Sequence, residues 1–188
     1  MRYLIGLLVT IGLLVLLIVI IVQGGGSSKT KTPDSQKPLI SYSQSDAVAR
    51  LTTDGPINAE QNHQQIQITV GRDYVAIASK KGYDGTVTNL QTYSNTAASY
   101  SAFLHALEHA GFTKGNADVK LKDESGYCAL GSRYIFEFIQ NGKTLERFWS
   151  TSCGKPKTYL GSLDLSLTLF RNQVPDYDKI ILDFSPTI

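Results

Sequence analysis

The chain has 188 residues, and its 18 basic and 16 acidic residues give a formal net charge of +2. Residues 1–40 contain four basic residues and one acidic residue, whereas residues 41–188 contain 14 basic and 15 acidic ones. Nucleic-acid binding requires a clustered cationic surface that displaces counterions. The near-neutral remainder of the chain therefore argues against a nucleic-acid partner, and two cysteines are too few for a cysteine-based zinc site.

Residues 3–22 form an uninterrupted apolar segment without a charged side chain. A helix of about 20 residues spans about 30 Å, the thickness of the hydrocarbon core of a bilayer. We therefore predict a transmembrane anchor at residues 1–22, whose residues 3–22 contact the lipid bilayer. A cleaved signal peptide is the alternative, but its apolar part is usually about 7–15 residues and ends in an A-x-A-like spacing that is missing here.

Residues 23–40 are predicted to be a flexible linker, because they are rich in glycine, serine, threonine, lysine and proline. The positive charges on the two sides of the anchor, Arg2 against Lys29 and Lys31, nearly balance. A very short N-terminal tail and a pair of cysteines, which suits an oxidising compartment, favour a cytoplasmic N-terminus. The domain at residues 41–188 is then extracytoplasmic, on a single-pass protein of the cell membrane.

Alternating apolar residues predict the first strands of this domain. Residues 65–70 (QIQITV) alternate, a short break follows at 71–73, and the alternation returns at 74–78. This pattern is typical of a β-hairpin. A further strand is predicted at 85–93.

The best predicted helix begins near Asn95, a good N-cap residue, and ends at Gly111. Its apolar residues fall on one face at helical spacing and are expected to pack on the sheet: Tyr100, Phe103, Leu104, Leu107 and Ala110. His105 and His109 lie on the opposite face, where two histidines four residues apart can bind a metal. No third ligand is identifiable, so we interpret this face as solvated and predict no metal site and no cofactor.

A second hairpin is predicted from the runs at 133–139 and 144–150, which flank Asn141-Gly142. The sequence is compatible with a two-residue or a three-residue loop. Folding at this turn places residue 153 opposite about 129–131, so we predict a disulfide between Cys128 and Cys153. The alternative, Cys128 as a catalytic nucleophile, would need a free thiol and a nearby histidine.

In the C-terminal part, a short helix is predicted to begin after Gly161-Ser162 and to end before Pro175. The alternation of Ile180, Leu182 and Phe184 predicts a final strand. Together these elements predict an α+β fold, with a small antiparallel or mixed sheet built from two hairpins and two helices packed on it.

Four tyrosines beside predicted turns are candidates for a binding surface: Tyr83, Tyr93, Tyr127 and Tyr159. Exposed tyrosines offer rigid amphipathic contact area, although packing in the core explains them equally well. The sequence contains no recognisable nucleophile, phosphate-loop or dinucleotide motif, so no catalytic residue is predicted.

Several segments resemble one group of proteins. They are DGPINAEQNH at 54–63, GYDG at 82–85, AFLHALEHAGFT at 102–113, GYCALGSRYI at 126–135, FWSTSC at 148–153 and FRNQVPDY at 170–177. They are similar to uncharacterised single-pass membrane-anchored proteins of Saccharibacteria. The resemblance implies a location in the bacterial cell envelope and carries no activity.

The leading hypothesis is thus a non-enzymatic module that binds an envelope or host-surface protein or supports envelope assembly. The alternative is an envelope hydrolase whose site is assembled from residues distant in sequence.

Overall fold

A computed structural model describes residues 37–116 and 118–184. The predicted transmembrane helix and residues 23–36 of the predicted linker lie outside the described residues. Within the described part, no helix has both the length and the apolar character needed to cross a membrane. Leu39, which the prediction assigned to the linker, is only 2% exposed and packs in the core. The folded part of the chain therefore begins before residue 41.

Six strands form one antiparallel sheet, and three α-helices accompany it. The α+β class is as predicted, but the prediction had two helices in place of three. The strands are β1 (Val48–Asp54), β2 (Gln64–Val70), β3 (Tyr74–Lys81), β4 (Thr86–Ser94), β5 (Arg133–Gln140) and β6 (Lys143–Thr151). Their order is β4-β3-β2-β1-β5-β6, and every neighbouring pair is antiparallel. The description of the sheet as two hairpins was too simple, because β1 lies between β2 and β5 and β4 extends the sheet beyond β3.

The turn between β5 and β6 has two residues, which settles the loop length that the sequence left open. Gln140 pairs with Lys143, and Asn141 and Gly142 have φ angles of 49° and 72°. Positive φ at both central positions matches the right-handed twist of the flanking strands, and asparagine and glycine tolerate it best.

The helices are α1 (Ala97–His109), α2 (Leu163–Arg171) and α3 (Tyr177–Phe184). The side chain of Thr96 caps α1 by accepting a hydrogen bond from the Ser99 backbone N–H at 3.1 Å. The predicted cap, Asn95, instead donates from its side chain to the Gly71 carbonyl at 2.7 Å. Asn95 thereby ties the start of the helix to the turn between β2 and β3.

The predicted final strand is wrong, because residues 177–184 form helix α3. Ile180 and Phe184, four residues apart, are buried, whereas Leu182 is 72% exposed. Four residues separate side chains on one face of a helix, and a strand would have buried Leu182 with the other two.

The three helices pack against one face of the sheet, which we call the helix face. Its strand residues form one apolar core with the helices: Ala49, Leu51, Ile68, Val70, Val75, Ile77, Phe136 and Phe138. Within it, the Phe103 and Phe170 rings meet edge to face at 5.3 Å. Since successive strand residues point to opposite faces, the alternate positions form a second face, the outer face.

Candidate functional site

The outer face has two halves that differ in what lies on them. Over β5 and β6, residues 118–131 form a covering loop. The Trp149 indole nitrogen donates to the Leu121 carbonyl at 2.8 Å, and the Tyr127 ring stacks on the indole at 5.4 Å. Trp149 is consequently 1% exposed. None of the three described helices covers the outer face over β2, β3 and β4, and we call that part the open half.

The predicted disulfide between Cys128 and Cys153 is present and fastens the covering loop to the end of β6. The two Cα atoms are 5.8 Å apart, a normal separation for a bonded pair. Both cysteines of the sequence are engaged in this bond. Cys128 therefore has no thiol that could act as a nucleophile.

A buried charge cluster, formed by Asp54, His63 and Arg133, lies where β1 ends and β5 begins. Arg133, only 2% exposed, donates from Nε to Asp54 Oδ2 at 2.7 Å and from Nη2 to the Gly55 carbonyl. His63 is fully buried, and its Nε2 lies 2.8 Å from Asp54 Oδ1. Neither of those two atoms has a well-aligned hydrogen bond, so the two side chains are in close contact without forming one.

The Asp54–His63 pair superficially resembles part of a hydrolase triad, but the histidine is blocked. Its Nδ1 faces the Pro56 carbonyl at 3.1 Å, and its Nε2 faces Asp54. The Tyr83 ring stacks on the imidazole at 4.0 Å. A general base needs a nitrogen free to take a proton from a reacting group. This cluster instead braces the segment that joins β1 to β2.

The open half contains a shallow trough of about 260 Å³. Its floor is Ala76 and Ala78 of β3, whose small side chains leave a depression between larger neighbours. On the β4 side, Val87 and Leu90 form an apolar wall and are 52% and 62% exposed. Exposed aliphatic side chains gathered beside a depression mark a contact surface more often than isolated ones do.

Both ends of the trough are formed by β3, with Tyr74 at one end and Lys80 at the other. Among the described residues, Lys80 has no carboxylate within 4.0 Å, and the nearby Glu137 contacts Arg50 at 3.6 Å. Burial and the Arg50 guanidinium lower the pKa of Lys80, an effect that Glu137 partly offsets. The trough thus combines an apolar wall with an ammonium group that forms no ion pair with any described residue.

A larger groove of about 940 Å³ runs between the covering loop and β6. Its polar groups are mostly engaged within the protein. Arg147 makes two hydrogen bonds to the Glu124 carboxylate at 2.6 and 2.7 Å, and Thr158 Oγ1 accepts from the Trp149 backbone. Ligand sites usually offer a few convergent polar groups that await a partner, and the trough fits that description better.

The four tyrosines proposed as a surface are not brought together. Tyr83 covers His63, and Tyr127 covers Trp149. Tyr93 lies on the helix face and donates a hydrogen bond to the Gln91 side chain at 2.7 Å. Tyr159 is 1% exposed, and its hydroxyl is hydrogen-bonded to the Ser166 hydroxyl at 2.6 Å. The tyrosine of the open half is Tyr74, which sequence reasoning missed.

The histidines of α1 contact one another but gain no further ligand. The rings of His105 and His109 are 4.6 Å apart on the exposed side of the helix. Across residues 37–116 and 118–184, no group of three or more histidine, cysteine, aspartate or glutamate side chains is arranged to hold a metal ion.

No family model matches this sequence, and comparison with curated proteins finds no relative. The conclusions on function therefore depend on the residues and their geometry.

Proposed function

We propose that this chain is a membrane-anchored binding module, not an enzyme, and that its extracytoplasmic domain recognises a partner through the trough. The apolar segment 3–22 is the proposed anchor, with the N-terminus in the cytoplasm. The single observation that carries the proposal is the exposed Val87–Leu90 wall beside Lys80, which forms no ion pair among the described residues, on a part of the sheet that none of the three described helices covers.

The shape of the trough favours an extended polypeptide segment as the partner. It follows β3 from Tyr74 to Lys80, a distance of about 20 Å at about 3.3 Å per residue. It is long and shallow, whereas sites for compact small molecules usually enclose most of the ligand surface. An extended segment could place side chains in the trough at every second residue.

The chemistry of the trough specifies which side chains that segment carries. Val87 and Leu90 offer contact to aliphatic groups, and Lys80 offers an ammonium to a carboxylate. The proposed partner therefore has aliphatic residues with an acidic residue at the end that meets Lys80. Together with the proposed envelope location, this favours a segment of an envelope or host-surface protein as the partner.

Synthetic peptides test this proposal. The probe is a blocked hexapeptide of alternating valine and threonine with one glutamate, and its controls carry glutamine or lysine instead. Binding to the full-length chain in lipid nanodiscs is measured by biolayer interferometry. We expect the glutamate peptide to bind at least about tenfold more tightly than the lysine peptide, which corresponds to about 1.4 kcal/mol.

Two lysine variants make the test specific to the trough. Lys80→Glu should reverse the preference, so that the lysine peptide binds better than the glutamate peptide. Lys81→Glu makes the same charge change one residue further along, where the side chain points to the opposite face, and should preserve the preference. Equal effects of the two variants, or no binding of any peptide, would overturn the proposal.

A further inference from the structure

We infer that two copies of this chain associate by antiparallel pairing of their β4 strands, which joins the two sheets into one. The inference concerns the edge of the sheet. It does not depend on the ligand proposed for the trough.

Strand β4 is an edge that lacks the usual protection. Among the described residues it pairs only with β3, and its nine residues, TVTNLQTYS, include no charged residue and no proline. Edge strands normally carry lysine or proline, or are covered, because their free N–H and C=O groups invite another strand. Within this strand, the only feature that protects the edge is a bulge at Thr88, between the pairs Lys80–Val87 and Ser79–Asn89.

The other edge strand, β6, shows how the same chain protects an edge. It carries the charged residues Lys143, Glu146 and Arg147. The Thr158 N–H donates to the Trp149 carbonyl at 2.9 Å, and the Trp149 N–H donates to Thr158 Oγ1 at 2.8 Å. Part of the outer edge of β6 is therefore already paired. On β4, the Thr86 N–H donates to Asp84 Oδ1 at 3.1 Å, and among the described residues no other segment pairs with the outer edge of the strand.

A second copy of the chain fits the β4 edge because the strand is complementary to itself. Two-fold symmetry places like residues near each other, and a strand without charges brings no repulsion across the axis. A register that sets Val87 opposite Leu90 of the second copy would gather four aliphatic side chains on the outer face. In each copy these residues are 52% and 62% exposed. Proposed anchors in one membrane also raise the effective concentration of the two strands.

Cysteine cross-linking tests the pairing directly. Both native cysteines are bonded to each other, so an introduced cysteine is the sole free thiol. We would place Thr86→Cys, Thr88→Cys, Leu90→Cys and Thr92→Cys separately in the full-length chain in liposomes and oxidise them mildly. The matched control is Thr144→Cys, at an exposed position of β6.

Antiparallel pairing predicts a graded pattern of cross-links. Cysteines can bond only when their Cα atoms lie within about 7 Å. Around a two-fold axis, a shift of two residues moves the two copies of a position apart by about 13 Å. The disulfide-linked dimer should therefore be strongest at the positions nearest the axis and absent further along, and Thr144→Cys should stay monomeric.

A charge variant separates specific pairing from chance collisions. In the best cross-linking background among positions 86, 88 and 92, Leu90→Lys should lower the dimer yield about tenfold, because it replaces an aliphatic side chain that faces Val87 of the second copy with a charged one. Leu182→Lys, at a leucine of α3 that is 72% exposed, should leave the yield unchanged. Absence of cross-links on β4, equal yields along β4 and at position 144, or equal effects of the two lysine variants would overturn the inference.

Discussion

The two halves of the outer face are both formed by antiparallel strands, but side chains are covered in one half and exposed in the other. Over β5 and β6, a loop, a disulfide and several ion pairs cover Trp149 and Arg133, so that both are nearly inaccessible. Over β3 and β4, Val87 and Leu90 remain more than half exposed. Burial is what stabilises a fold, and exposure is what leaves a surface available to a partner. We therefore expect substitutions in the covered half to affect stability and those in the open half to affect binding.

Trp149→Ala should produce the largest loss of stability, about 4 kcal/mol, because it removes a buried aromatic side chain and leaves a cavity under the covering loop. It also leaves the Leu121 carbonyl without its indole donor. Urea unfolding followed by circular dichroism measures the change. Leu145→Ala, at a position of the same strand that is 38% exposed, should cost about 1 kcal/mol or less. Equal costs for the two variants would show that the loop does not bury the indole.

Asp54→Ala should cost about 3 kcal/mol, because it leaves the buried Arg133 guanidinium without its carboxylate. The matched control is Asp73→Ala, which breaks the exposed contact with Arg72 and should leave the urea midpoint nearly unchanged. Replacing both partners, as Asp54→Ala with Arg133→Met, should recover part of the loss. If the double variant is no more stable than Asp54→Ala alone, an unpaired buried charge is not the cause.

The disulfide should contribute about 3 kcal/mol, since its cysteines are 25 residues apart and the bond restricts the unfolded chain. The double variant Cys128→Ser with Cys153→Ser should lose this amount in urea unfolding. It should also expose residues 118–131 to limited proteolysis, because the covering loop loses its attachment. A reducing agent should lower the stability of the native chain and leave the double variant unaffected. Loss of stability in both would point to another cause.

The covered half was partly predictable because some of its determinants are local. The Asn141-Gly142 turn lies between two apolar runs, and a hairpin folded there brings Cys128 and Cys153 together. The charge cluster was not predictable in this way. Arg133 and Asp54 are 79 residues apart, and only the position of β1 between β2 and β5 brings them into contact.

The open half was missed for a different reason. Strand β3 is apolar on both faces, with Val75 and Ile77 on one and Ala76 and Ala78 on the other. Such a strand does not reveal which face the helices cover.

Strand β1 was also missed, because Ala49 and Leu51 are its only buried apolar residues and give little alternation. The prediction of a strand at Ile180 and Phe184 was wrong because a spacing of four residues fits both a strand and a helix.

Substitutions in the open half should have the smallest effect on stability. Val87→Thr and Leu90→Thr keep strand-forming side chains on β4 and replace exposed aliphatic groups. We expect each to change the free energy of unfolding by less than about 0.5 kcal/mol, because neither creates a cavity or leaves a buried group unpaired. The same variants should weaken both the binding of the glutamate peptide and the cross-linking of β4. A loss above about 1.5 kcal/mol would mean that these side chains support the fold, and the contrast between the two halves would then fail.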